Sequence, residues 1–438
     1  MPSCAELHAA LRRLVAIASV LLAPLPSAAD SHHPPAVARV ERSGLTPAQF
    51  HDESDRWHYQ GYRLARVIMG AVDGRDSISA SWEARETLVP SELATADAAV
   101  ARFMERHQAT ALSLALAKDG RLVLARAYGH ADKARREPLA PRHRFRIASI
   151  SKPITATGIL LLRERNDLRL SDKAFGKEAL LGMPKELYPG GPSVTGVTFE
   201  HLLTHAAGGW SGDFGPEPRF HHPGLDHAAL IARVLREHPL QREPGFEHHY
   251  SNFGYCLLGR AIESASGRPY ERFIKAEVLA PCGIHAMDIG GDTEADRKPD
   301  EVWYHGQGGE DPYAMKLARM DAHGGWIASA VDVVRFLVHV DQRPAPPDIL
   351  RPESLSRMFK PSAPSSRYAM GWAVNDAPNR WHNGSLPGSQ SIAVQTHDGY
   401  SWAALTNTRD PGIGPDLDQL MWEVRAALKT LPSFDLFR

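Results

Sequence analysis

Ser149 and Lys152 stand three positions apart in the run Phe145-Arg146-Ile147-Ala148-Ser149-Ile150-Ser151-Lys152. On a helix that spacing puts both side chains on one face. A serine hydroxyl does not ionise near neutral pH, so it needs a base to become a nucleophile. A neighbouring amine can be that base when burial disfavours its charged form. A helix start also offers the positive end of the dipole to an oxyanion. Pro153 suits such a start, because a first-turn N–H has no intrahelical partner to lose. Alone, Ser-x-x-Lys is a two-residue pattern that chance supplies, and its plain alternative is an exposed pair on a helix. The apolar Ile147, Ala148 and Ile150 argue for burial instead.

Two further runs could join it. Tyr250-Ser251-Asn252 precedes Phe253-Gly254-Tyr255 and a helical stretch. A phenol between two cationic groups can be lowered from its usual value near 10 far enough to act as a general base. An asparagine can hydrogen-bond both a lysine and a substrate amide. The third run is Trp381-His382-Asn383-Gly384-Ser385. Gly384 lets backbone approach a ligand closely, and the N–H that follows can point at a developing oxyanion. Taken singly, the first of these two is equally a turn with a part-buried tyrosine, and the second a strand ending in an Asn-Gly turn.

Taken in order, Ser-x-x-Lys, Tyr-x-Asn and His-x-Gly resemble the motif set of the serine β-lactamase and penicillin-binding-protein-like hydrolase family. Phe199-Glu200-His201-Leu202-Leu203-Thr204-His205-Ala206-Ala207-Gly208 is similar to that family's LLTH-x-x-G segment. Pro244-Gly245, Leu257-Leu258-Gly259 and Gly324-Gly325 extend the resemblance over roughly residues 95–430. It implies that Ser149 is the acylated nucleophile and Lys152 its proton acceptor. Tyr250 is implied as second base and acid, and Asn252 as the group that positions Lys152 and substrate. His382, Gly384 and Ser385 are implied substrate-binding residues, with the N–H groups of Ser149 and Ser385 as oxyanion hole. The tyrosine motif resembles the class C β-lactamase, D,D-peptidase and esterase branch. His382 departs from class C enzymes, which carry lysine there; a neutral imidazole holds a carboxylate less reliably than an ammonium. The expected activity is therefore cleavage of an amide or ester by a peptidase or esterase type of serine hydrolase. The alternatives are a β-lactamase proper, a D,D-carboxypeptidase, or a non-catalytic cell-wall peptide-binding protein on the same fold.

The elements that must position these residues come from both ends of the chain. Ala111–Ala117 and Leu122–Tyr128 flank Asp119-Gly120, a hairpin signal. Strand-like runs return at Ala369–Val374, Asn379–His382, Ser391–Gln395 and Trp402–Leu405. Helices are expected over 93–108, Ala148–Glu164, Leu257–Ala265, Tyr270–Leu279, Ala330–Val340 and Leu417–Leu428. The fold class is α/β, of α+β kind: a β-lactamase-like antiparallel sheet flanked by helices, with an inserted helical lobe and the site between lobes. Ahead of this domain (91–438), residues 44–90 read as a small helix–hairpin module. Thr46-Pro47 starts its helix, and Asp73-Gly74 turns its hairpin. Gly44-Leu45-Thr46-Pro47-Ala48-Gln49-Phe50, Gly61-Tyr62-Arg63 and Trp82-Glu83 resemble one copy of the repeat in polyglycine hydrolases, which hints at a peptide substrate.

The 438 residues are 43% apolar and 23% charged, an ordinary globular composition. Fifty Lys and Arg against 51 Asp and Glu leave a net charge of −1. No basic excess supports nucleic-acid binding. Arg12-Arg13, the apolar run Leu14 to Leu25 and the small residues Ser27, Ala28 and Ala29 read as a signal peptide, 1–29, cleaved near Ala29. The mature protein is then periplasmic or secreted, begins with a flexible leader (30–43) and keeps no membrane span, since the apolar run is shorter than a crossing helix. Its expected partner is a small-molecule or peptide substrate; oligomeric state is open. Cys256 and Cys282 could pair in an oxidising compartment. Among the 22 histidines, His32-His33, His221-His222 and His248-His249 are adjacent pairs, which rarely chelate together, and no His-Glu-x-x-His occurs. Neither metal nor cofactor is expected.

Overall fold

Thr46 opens the first helix by accepting from the Gln49 N–H at 3.2 Å, while Gln49 Oε1 accepts from the Thr46 N–H at 2.9 Å. This reciprocal cap and Pro47 at the first helical position account for the start read from sequence. The structure is a computed structural model that describes residues 39–438 except 73–74, 86–87, 133, 135, 183–192 and 215–223. The expected signal peptide, leader residues 30–38, the Asp73-Gly74 turn and the pairs His32-His33 and His221-His222 lie outside the described residues. All described residues belong to the unit Ala36–Arg438.

Strand β1 (Arg39–Leu45), helix α1 (Pro47–His58) and strands β2 (Tyr62–Val72) and β3 (Arg75–Ala84) form an N-terminal layer with sheet order β1-β3-β2. Residues 39–43, expected to be leader, are therefore strand: Arg39 to Arg42 pair with Glu83 to Ala80. Val40, Trp57, Tyr62, Ala80 and Trp82 make its core. His58 Nε2 meets the Leu436 carbonyl at 2.9 Å and Arg142 bridges to Asp52 at 3.0 Å, so the layer is tied to the rest.

Helix α2 (Pro90–Arg106) leads into β4 (Ala111–Lys118), β5 (Arg121–Asp132), β6 (Glu137–Pro138) and β7 (Phe145–Arg146). Asp119 and Gly120 both have positive φ (48° and 79°), as a tight hairpin requires. Helices α3 (Ser151–Glu164), α4 (Phe199–Leu203), α5 (His227–Glu237), α6 (Asn252–Ser266) and α7 (Tyr270–Ile274) form the helical lobe. Strands β8 (Asp288–Ile289) and β9 (Trp326–Ala328) then join β7 in a small sheet of order β7-β9-β8. The chain returns through α8 (Ala330–Leu337), α9 (Pro352–Met358), β10 (Ala373–Val374), β11 (Arg380–Leu386), β12 (Ser389–Gln395), β13 (Tyr400–Thr406) and α10 (Ile413–Ala427).

Strands from both ends build one seven-stranded antiparallel sheet, order β10-β11-β12-β13-β4-β5-β6, as expected. The joint is β13 on β4, from Tyr400↔Lys118 to Thr406↔Leu112. Alternation sorts β4 between two cores: Leu112, Leu114 and Leu116 pack with Val100 and Phe103 of α2 and Leu417 and Met421 of α10. Ala111, Ala115 and Ala117 face the core shared with α3 and α6.

Three further expectations change. The helix expected from Ala148 is a 3₁₀ turn over Ala148–Ile150, and α3 starts at Ser151. The strand expected over Ala369–Val374 shrinks to Ala373–Val374. The strand expected to end at His382 runs on to Leu386, because Asn383 and Gly384 pair with Ile392 and Ser391 and the turn falls at Gly388 (φ 69°). Cys256 and Cys282 are buried and not bridged to one another. Among the described residues no helix is long and apolar enough to cross a membrane.

Candidate active site

Ala148 carries φ 47°, a left-handed backbone that costs an L-residue energy and persists only under surrounding constraint. It turns the chain so that Ser149 is partly exposed while Ile147, Ala148, Ile150, Ser151 and Lys152 are buried. Ser391 Oγ donates to the Ile147 carbonyl at 3.0 Å and Ser389 Oγ to the Arg146 carbonyl at 2.7 Å, pinning the turn to β12.

Lys152 is fully buried in the first turn of α3. Its Nζ lies 2.9 Å from Ser149 Oγ, 2.6 Å from Asn252 Oδ1 and 2.9 Å from the His323 carbonyl oxygen. An ammonium has only donors, so it takes the amide oxygen of Asn252. A neutral amine has two protons and one lone pair. The carbonyl of His323 and the amide oxygen of Asn252 only accept, so in that state the lone pair faces Ser149 Oγ. The carbonyl one residue earlier, that of Ala322, ends an ordered series of hydrogen bonds. Trp326 Nε1 donates to Tyr270 Oη (3.1 Å), Tyr270 and Thr155 hydroxyls meet at 2.6 Å, and Thr155 donates to the Ala322 carbonyl (2.6 Å).

Asn252 is the first residue of α6, whose N-cap Ser251 accepts from the Gly254 N–H at 3.0 Å and donates to the Trp210 carbonyl at 2.8 Å. Tyr250 precedes the cap, and its ring centroid is 4.7 Å from Lys152 Nζ, within cation–π range. His205 also packs against Tyr250, centroids 4.2 Å apart. His205 is the histidine of the LLTH-x-x-G-like run, whose spacing alone assigns it no role. It follows the Thr204 C-cap of α4 with φ 57°, where a helix end calls for left-handed backbone.

His382 and Gly384 share the inward face of β11, while Asn383 and Ser385 are exposed. Gly384 lies against the nucleophile turn. Ser385 pairs with Gln390. His382, expected to bind substrate in the place of a lysine, is 6% exposed with both ring nitrogens engaged by the protein: Nδ1 at 2.8 Å from the Asn383 carbonyl and Nε2 at 3.0 Å from Tyr368 Oη. Burial, and then the charge of Lys152, push its pKa down to about 3, so the ring is neutral. Burial likewise holds His205 well below the usual histidine value. Tyr368 belongs to none of the motifs; no spacing rule links it to His205 or His382, and only the fold brings the three together. Among the described residues no group of three or more His, Cys, Asp or Glu could hold a metal ion.

A serine and a lysine on one helix start, an asparagine from a second helix and a glycine-bearing strand define the class: a serine hydrolase built on an antiparallel sheet and a helical lobe. The family model Beta-lactamase matches residues 96–426, and the chain belongs to that family. It is 28% identical over 319 residues to "Penicillin-binding protein 4*" of Bacillus subtilis (strain 168), covering 67% of each chain. It is 24% identical over 323 residues to "Protein flp" of Staphylococcus aureus (strain COL), covering 71% of this chain and 62% of that protein. The chain thus spans about two thirds or less of the length of these relatives. Its fold is also that of D-amino acid amidase from Ochrobactrum anthropi SV3, with TM-score 0.64, 22% identity and coverage of 77% of this chain and 98% of that one.

Proposed function

We propose that the protein is an exported serine hydrolase that cleaves an amide or ester through an acyl-enzyme on Ser149. Lys152 in its neutral form accepts the Ser149 proton as Oγ bonds to the substrate carbonyl carbon. The carbonyl electrons move to oxygen, where the N–H groups of Ser149 and Ser385 stabilise the oxyanion. The intermediate collapses, the bond to the amine or alcohol breaks, and Tyr250 gives its phenolic proton to that leaving group. Water then attacks the acyl carbon and gives a proton to the Tyr250 phenolate, the acyl–Oγ bond breaks to release the acid, and Ser149 Oγ recovers its proton from Lys152. Asn252 holds Lys152 and a substrate amide throughout.

The single observation behind this is the 2.9 Å contact of Lys152 Nζ with Ser149 Oγ, with two pure acceptors at its other sides. A neutral His382 turned toward the protein supports peptidase, amidase or esterase chemistry over β-lactam or C-terminal carboxylate recognition. The N-terminal layer is proposed as a separate module that favours peptide substrates, and residues 1–29 as the export signal.

The test is intact-mass spectrometry after incubation with a fluorophosphonate, an activated ester and a fluorescent penicillin, with Ser149→Ala as control. One adduct per chain on Ser149, and fastest turnover of the ester or an amide, is expected. No adduct in the folded protein would favour the non-catalytic binding reading; fastest turnover of the penicillin would favour the β-lactamase reading.

A further inference from the structure

The directions of four hydrogen bonds behind the site follow from donor and acceptor chemistry. The Ser251 N–H donates to His205 Nδ1 at 3.1 Å. A neutral imidazole that accepts at Nδ1 carries its proton on Nε2, so His205 donates from Nε2 to Tyr368 Oη, 3.1 Å away. At the other end the Asn383 carbonyl, 2.8 Å from His382 Nδ1, can only accept, so the His382 proton sits on Nδ1. Its Nε2, 3.0 Å from Tyr368 Oη, then accepts the phenol proton. The series runs one way, from the backbone between Tyr250 and Asn252 to the backbone between His382 and Gly384. Each side chain in it is nine-tenths buried or more: His205 1%, Tyr368 7% and His382 6% exposed.

We propose that Tyr368 is a positioning residue of this site: it holds His205 and His382 in fixed, opposite tautomers and so ties the Tyr-x-Asn segment of the helical lobe to the third-motif strand. The proposal rests on the serine-hydrolase reading. Its physical content is orientation. His205 is the ring on which Tyr250 packs, at 4.2 Å between centroids, and its Nδ1 anchors the peptide N–H one residue from both Tyr250 and Asn252. Titratable groups face the series from each packed element. Lys152 comes from α3, His248 and Tyr250 from the segment before α6, and Tyr255 from α6 itself. A charge on either histidine would repel the ammonium that Lys152 becomes on taking the Ser149 proton, and fixed neutral tautomers avoid that repulsion.

The experiment is long-range ¹⁵N NMR of the histidine rings in the full chain, with His205 and His382 signals assigned from His205→Asn and His382→Asn, alongside kinetics of Tyr368→Phe. In the wild type His382 is expected protonated on Nδ1 and His205 on Nε2, unchanged between about pH 5 and pH 8. Tyr368→Phe leaves a buried donor and a buried acceptor unmatched. Mixed tautomers are expected, with kcat/KM lower by about tenfold to a hundredfold and the acid limb of its pH profile moved upward. The opposite tautomers in the wild type would overturn the proposal, and so would a Tyr368→Phe variant with unchanged tautomers and acid limb. If that variant does not fold, the wild-type spectrum alone decides. Absence of Ser149 labelling would overturn the hydrolase reading while leaving the tautomer result to stand or fall by itself.

Discussion

A side chain at Gly384 would put its first carbon 2.1 Å from the carbonyl oxygen of Ile147 and 2.2 Å from Ser391 Oγ. Bonded carbon chains do not approach that closely, so the third-motif strand and the nucleophile turn touch only because the residue is glycine. The first atom is backbone and cannot rotate away. The contact sets how far β11 stands from Ser149.

Gly384→Ala is therefore expected to push β11 off the turn. Overpacking of this kind costs about 1–3 kcal/mol of stability, while a shift near 1 Å at the chemistry costs about a hundredfold in rate. Thermal melting and kcat/KM measured together check this; full activity would mean the strand is not held where the oxyanion forms.

Ser149→Ala is expected to abolish turnover and leave the unfolding free energy within about 0.5 kcal/mol of the wild type, because Ser149 is partly exposed and fills no core space. Lys152→Met removes the donors to Asn252 Oδ1 and the His323 carbonyl as well as the base, so it is expected to lose both activity and stability. Denaturant unfolding of the two variants separates these outcomes.

Tyr250→Phe keeps the ring that lies against Lys152 and His205 but removes the hydroxyl. Slower deacylation, with an acyl-enzyme that accumulates, is expected. Rapid-quench mass spectrometry reads it directly, and an unchanged rate would remove Tyr250 from the water-activating role.

Two pH effects of opposite sign are expected. His382 is held near 3 by burial and then by Lys152, and burial also depresses His205. Unfolded histidines bind protons below about pH 6.5 that these two do not, so stability falls as pH drops from about 6.5 toward 3. His249 behaves otherwise. Burial opposes its charge, but hydrogen bonds with Glu247 and Asp213, each at 2.9 Å, outweigh that and raise its pKa. Its contribution is present below about pH 6.5 and is lost as pH rises through its raised value. Unfolding free energies across pH for the wild type, His382→Asn and His249→Gln test both: the first variant should flatten the acid slope, the second the loss of stability that begins above about pH 6.5.

His382→Lys is expected to shift kcat/KM toward carboxylate-bearing substrates at a cost in stability, since the ammonium enters a buried position beside Lys152 and loses the acceptor role toward Tyr368. Parallel kinetics on an ester and its carboxylate-bearing analogue, with a melting curve, measure each part.

Much of the molecule was legible in the chain itself, and for local reasons. The Asp119-Gly120 hairpin, the Thr46-Pro47 helix start and the alternation of Leu112, Leu114 and Leu116 are set by backbone and side-chain preferences a few residues long. Ser149 and Lys152 meet because three positions along a turn bring any two side chains near one another, and motif order supplied Tyr250, Asn252 and Gly384 as their companions. What tertiary structure alone decided is contact between distant segments. Gly384 reads locally as a turn glycine, yet it lies mid-strand, paired with Ser391, where its missing Cβ leaves room for the Ile147 carbonyl. His382 reads as a substrate ligand, yet its nitrogens are taken by Asn383 and Tyr368. Tyr368 and His205 carry no pattern that joins them, being 163 residues apart. Local propensity acts over a few residues, whereas these bonds exist only after the sheet has closed from both ends of the chain and brought the helical lobe against it.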